Sequence, residues 1–106
     1  MTAPLRQGST ARAGRIGPRR RRGLRSRVVV LRTGGVMEWH STRTREELLL
    51  VLMGRLQLEA RASSGRMRTL TLTSGEYAVI PSQTWHRLRN RSRARARYLY
   101  VTALAK

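Results

Sequence analysis

The chain has 106 residues, no cysteine, and a formal net charge of +18 from 23 basic and 5 acidic residues, all but Lys106 of the basic ones arginine. That length bounds it to one domain, and the missing cysteines exclude disulfides and thiolate metal sites, so a bound metal must be held by nitrogen and oxygen. No apolar run approaches the ~20 residues of a membrane-spanning helix, and no apolar segment follows the first arginines as a secretory signal requires.

From Met1 to about Ser26 the residues are mostly Ala, Gly, Ser, Thr, Pro and Arg, densest in charge at Arg19 to Arg22. Such a composition has little to bury and predicts a disordered basic arm, leaving a domain over residues 27–106. A contact with nucleic acid is the functional expectation for that arm, ranked below a plain solvated tail because no aromatic residue interleaves the charges.

Beyond it, short alternating or β-branched runs are separated by Gly and Ser turns, the pattern of an all-β sandwich or barrel. The expected strands are Val28 to Leu31, Val36 to His40, Glu47 to Met53, Arg55 to Ala60, Met67 to Thr73, Tyr77 to Ile80, Trp85 to Leu88 and Ala96 to Thr102. No helix of useful length competes with them. In Arg55 to Ala60, Leu56 and Leu58 face one way and Arg55, Gln57 and Glu59 the other, as on a strand with one wet face. Glu47 to Met53 is apolar on both faces after its first residue. Its inner set continues the line of Glu47, and its outer set is expected to form a homodimer contact, since a core this small is marginal alone. The arginines at 87, 89, 91, 93, 95 and 97 share one parity, opposite to His86, and predict a solvated outer stripe.

The chemistry concentrates at His40, Glu47 and His86, because two imidazoles and one carboxylate can hold a divalent cation if the fold brings them together. Gly34, five residues, His40, one residue, Thr42, four residues, Glu47, six residues and Gly54 form one ordered spacing. Gly75, five residues, Pro81, then Gln83, His86 and Asn90 form a second. Together they resemble the two motifs of the cupin family, small antiparallel β-barrels of jelly-roll type built around a metal. The resemblance implies that fold, a divalent metal (Fe, Mn, Zn or Ni), and His40, Glu47 and His86 as its ligands. Two positions depart from the family: Thr42 stands where a second histidine is usual, and Gln83 replaces a glycine.

A threonine hydroxyl coordinates weakly, so the Thr42 position is expected to be filled by water or substrate. Glu38 shares the strand parity of His40 and could support its ring or pair with an arginine at the rim. Arg43 and Arg45, in the loop between the ligand strands, could attract an anionic small molecule. Tyr77, Tyr98 and Tyr100 could offer a phenol, with packing the default role; Trp39 and Trp85 are read as packing residues framing the barrel. The functional expectation is a cytoplasmic metal-binding cupin with a small, anionic ligand. As an enzyme it would be of dioxygenase, isomerase or lyase type; the alternatives are a metal-free binding or sensor module and, ranked last, a nucleic-acid-associated protein.

Overall fold

A computed structural model describes residues 7–16 and 23–105. The strands are β1 (Gly14–Arg15), β2 (Leu24–Leu31), β3 (Val36–Ser41), β4 (Arg45–Met53), β5 (Arg55–Arg61), β6 (Met67–Thr73), β7 (Tyr77–Ile80), β8 (Trp85–Arg89) and β9 (Ala96–Leu104). They form two antiparallel sheets, one ordered β1-β2-β9-β4-β7 and the other β3-β8-β5-β6, and no helix occurs among the described residues. This is the all-β architecture that the alternation predicts, in the jelly-roll barrel form that the resemblance to cupins implies.

The interior follows from strand parity. Glu47, Leu49 and Val51 of β4 face inward beside Ala96 and Tyr98 of β9, and meet Leu56, Leu58, Leu72 and Leu88 from the other sheet. At a gain of about 25 cal/mol per Å² of apolar surface buried, these side chains supply most of the drive for the two sheets to pack.

Met67–Thr73 and Tyr77–Ile80 have the bounds the sequence predicts, and the other predicted strands are longer than expected. β2 begins at Leu24 rather than Val28, since Leu24 to Arg27 pair with Ala103 to Tyr100 of β9. Their arginines hid this from a reading based on apolar runs. Gly14 and Arg15, also inside the span expected to be disordered, pair with Val28 and Arg27. The densest charge, Arg19 to Arg22, lies outside the described residues, as do 1–6.

The predicted arginine stripe is broken at Asn90, where the chain leaves β8 for a turn. Arg87 and Arg89 both bond Glu59 across the outer face, Arg87 through two contacts of 3.0 and 3.2 Å. Arg97 lies on β9, in the other sheet. Of the two tryptophans, Trp39 is half-buried with the Arg87 guanidinium 5.0 Å from its ring centre, whereas Trp85 is 52% exposed and frames nothing.

Gly54, the last residue of the first motif, turns β4 into β5 at φ 85°. A Cβ there would lie 2.8 Å from the Arg95 carbonyl oxygen and 3.0 Å from the Ala96 Cα, so both the conformation and the approach of β9 demand glycine.

Candidate metal centre

β3 and β8 are neighbours, and their register sets His40 opposite His86. β4 brings Glu47 from the facing sheet. The ligand atoms of His40, Glu47 and His86 lie within 4.8 Å of one another, and the imidazole centroids are 4.2 Å apart. The fold therefore gathers the three residues singled out in the sequence. His86 and Glu47 are buried; His40 is exposed, toward the mouth.

Main-chain carbonyls fix both rings. His40 Nδ1 lies 2.8 Å from the Glu38 carbonyl oxygen and His86 Nδ1 lies 3.0 Å from that of Thr84, so each Nδ1 carries the proton and donates it. Each Nε2 is left with a free lone pair. His86 Nε2 is fully buried with no hydrogen-bond partner among the described residues, 3.8 Å from a Glu47 carboxylate oxygen. A buried polar atom without a partner is costly, and here the nearest polar group is the Glu47 carboxyl, too far for a hydrogen bond. A cation between the two would satisfy both, so the donor set fits a divalent metal.

The electrostatics agree. Burial pushes the Glu47 carboxyl up to about 7, partly opposed by His40. Burial likewise lowers His86, against the hydrogen bond to Thr84, which raises it. Each drifts toward its neutral form, so their 3.8 Å approach is not a structural ion pair.

The centre opens into a cavity of about 250 Å³ whose walls include Met37, Leu88, Tyr98, Tyr100, Arg45 and Thr102. Tyr98 is buried, and burial together with Glu47 and Tyr100 raises its phenol well above its ordinary range, so it remains protonated. Tyr77 is 64% exposed and takes no part.

The remaining predicted site residues behave differently. Thr42 lines the cavity, but its hydroxyl donates to the Pro81 carbonyl at 2.7 Å and accepts the Thr84 N–H at 3.0 Å. It ties the β3–β4 turn to the loop that precedes β8, so the one donor of its hydroxyl is committed to structure. Glu38 does not share the inward face of His40. One extra residue in β3, between the pairs Met37–Leu88 and His40–His86, forms a bulge that breaks the parity and turns Met37 and His40 inward. What supports the His40 ring is the Glu38 carbonyl, not its carboxylate.

Arg43 is exposed in the turn at φ 55° and does not line the cavity. Arg45, already within β4, does line it. Its Nε bonds the Thr102 hydroxyl at 2.9 Å and one terminal nitrogen reaches the carbonyls of Gly23 and Thr102. Its other terminal nitrogen has no such partner among the described residues. Sequence reasoning missed Met37, Thr102 and the Thr84 carbonyl; the alternation of Tyr98, Tyr100 and Thr102 along β9 was the available signal for the second.

Residues 27–102 match the family model described as Cupin domain. Solved structures share the fold: the Schizosaccharomyces pombe Cnp3 cupin domain (13% identity, TM-score 0.77, covering 88% of this chain and 64% of that one), peruvianin-I, a cysteine peptidase from Thevetia peruviana latex (19%, 0.73, 77% and 51%), and a recombinant oxalate oxidase in complex with glycolate (21%, 0.74, 77% and 42%). This chain thus spans about two-fifths to two-thirds of their lengths. A comparison with curated proteins finds no matching sequence.

Proposed function

The chain belongs to the cupin family, and on that premise we propose that it binds one divalent metal through His40, Glu47 and His86, beside a cavity for a small anionic ligand. The observation that carries this reading is the unpartnered, buried Nε2 of His86 facing the Glu47 carboxylate. When bound, the ion supplies Lewis acidity and coordination positions beyond the three that the protein fills. The chain's own residues do the rest. The Glu38 and Thr84 carbonyls hold the rings in one tautomer, and Met37, Leu88 and Tyr98 keep the inner wall largely apolar. Arg45 sets a cation at the cavity wall, where its uncommitted nitrogen can meet a carboxylate or phosphate. A volume of about 250 Å³ limits the ligand to a small molecule.

Elemental analysis of protein purified under metal-replete conditions should give about one equivalent of Fe, Mn, Zn or Ni, and His40→Ala and His86→Ala should each reduce it to a small fraction. Removing one of three ligands weakens such a site by at least ~100-fold, more than the 10–100-fold typical of outer-shell changes. A metal-free parent protein would overturn the proposal.

The outer face of the larger sheet supports assembly as a homodimer. Register places Val79, Leu48 and Val101 in one row across it and Tyr77, Leu50 and Leu99 in the next. Leu48 and Val79 are 40% and 59% exposed, and a contiguous apolar patch of this kind marks an interface. Sedimentation should show a dimer that Leu48→Lys combined with Val79→Lys converts to monomer; a monomeric parent would refute it.

A further inference from the structure

We propose that the cleft between the free edges of β6 and β7 is a second ligand site, distinct from the histidine cavity, and that it takes a small amphipathic carboxylate. Among the described residues β6 pairs only with β5, and β7 only with β4, so the two edges bound an opening in the barrel beyond the turn at 74–76 that joins them. The cleft measures about 450 Å³, within the range of small-molecule sites. It shares no wall residue with the histidine cavity.

Its apolar part is formed by Leu58, Leu70, Ala78 and Ile80. Leu70 is on the interior face of β6, opposite Leu58, yet it remains 38% exposed, with no strand among the described residues covering it from the β7 side. An apolar group lying there would remove that surface from water.

The charge comes from Arg68. Register sets it opposite Ala60, and Ala60 opposite His86, so Arg68 ends an interior row that runs His40, His86, Ala60, Arg68 across the smaller sheet. Arg68 makes no ion pair among the described residues. Arg61 also borders the cleft, but its strand position alternates to the outside, and its guanidinium stands 6.0 Å from the Trp39 ring centre. One inward guanidinium at the edge of an apolar floor selects a ligand with one anionic head and an apolar body. A guanidinium fork matches a carboxylate in two parallel hydrogen bonds. Inorganic phosphate would leave the apolar floor wet. A nucleic acid would find no aromatic ring in the cleft on which to stack a base.

The test titrates octanoate into the full chain by calorimetry, and follows leucine, isoleucine, alanine and methionine methyl resonances. Octanoate should bind one site and shift the methyls of Leu58, Leu70, Ala78 and Ile80, leaving Met37 and Leu88 in place. Octan-1-ol should bind more weakly. Arg68→Gln should weaken octanoate about tenfold or more, as expected for loss of a charge-assisted contact, and Leu70→Gln should weaken octanoate and octan-1-ol alike. Both substitutions are at exposed positions, and unchanged thermal unfolding would verify the fold. His86→Gln should leave octanoate affinity unchanged, which keeps this test independent of the metal reading. Equal affinity in Arg68→Gln, shifts confined to Met37 and Leu88, or no binding at millimolar octanoate would overturn the proposal.

Discussion

Glu47→Gln should make the ion-free protein more stable at pH 8 while abolishing its hold on a divalent metal. The two effects have opposite signs because they depend on the same buried charge. A carboxyl whose folded-state value is about 7, against about 4.5 unfolded, holds its proton more tightly in the folded chain. The folded state is therefore progressively disfavoured as pH rises from about 4.5 to about 7, by on the order of 1–3 kcal/mol in all. Glutamine resembles the protonated acid and escapes that penalty. Denaturant unfolding with a chelator present should show the gain at pH 8 and little difference at pH 4.

His86 acts in the opposite direction. Its lowered value means that the folded state is disfavoured as pH falls below about 6.5, where the unfolded imidazole takes up a proton that the buried one resists. Glu47→Gln should expose this limb, leaving a variant whose stability rises with pH through that window. Metal affinity of the parent should also climb with pH up to about 7, since binding must displace the Glu47 proton. A variant no more stable than the parent at pH 8 would show that Glu47 is solvated better than its burial implies.

Asn90→Ala should be among the most damaging single changes in the fold. The Asn90 amide is fully buried and all four of its hydrogen-bonding positions are filled. Its nitrogen donates to the carbonyls of Leu31 and Ala94, and its oxygen accepts the backbone N–H and the hydroxyl of Ser92. Truncation strands the Leu31 carbonyl and the Ser92 backbone N–H, whereas the Ala94 carbonyl keeps the Ser92 hydroxyl at 2.9 Å. At about 1–3 kcal/mol for each buried group left unsatisfied, the loss should reach roughly 2 kcal/mol or more. Thermal unfolding by circular dichroism should fall by more than about 10 °C. A change below about 1 kcal/mol would mean that water replaces the amide.

The strands and the three clustered residues were legible because both rest on local rules. The two-residue period of Leu56 and Leu58 reports one wet face, and the doubly apolar β4 reports a strand covered on both. Glu47 could be chosen over Glu46 from its spacing to Gly54, and it is Glu47 that is buried. What escaped depends on partners distant in sequence. β2 continues through Arg25 and Arg27 because β9 supplies hydrogen bonds there, which no local composition reveals.

The bulge in β3 is of the same kind. Unbroken alternation places Glu38 beside His40, and only pairing with β8 shows that one extra residue intervenes. At Thr42 the sequence shows the lost imidazole but not the Pro81 carbonyl and Thr84 N–H that its hydroxyl engages. The turn at 83 also makes sense only in three dimensions. Gln83 takes φ 55°, which is why glycine suits that position, and its N–H is held by the Arg43 carbonyl at 2.7 Å.

The carbonyls that hold the two imidazoles have an evolutionary consequence. Every residue type provides a backbone carbonyl, so positions 38 and 84 can drift in side chain without releasing either ring. Orientation of the two nitrogens is thereby inherited with the course of the strands, while the surrounding surface is free to change charge and specificity. A lineage could rebuild the cavity's walls many times over and still present the same pair of lone pairs to whatever occupies it.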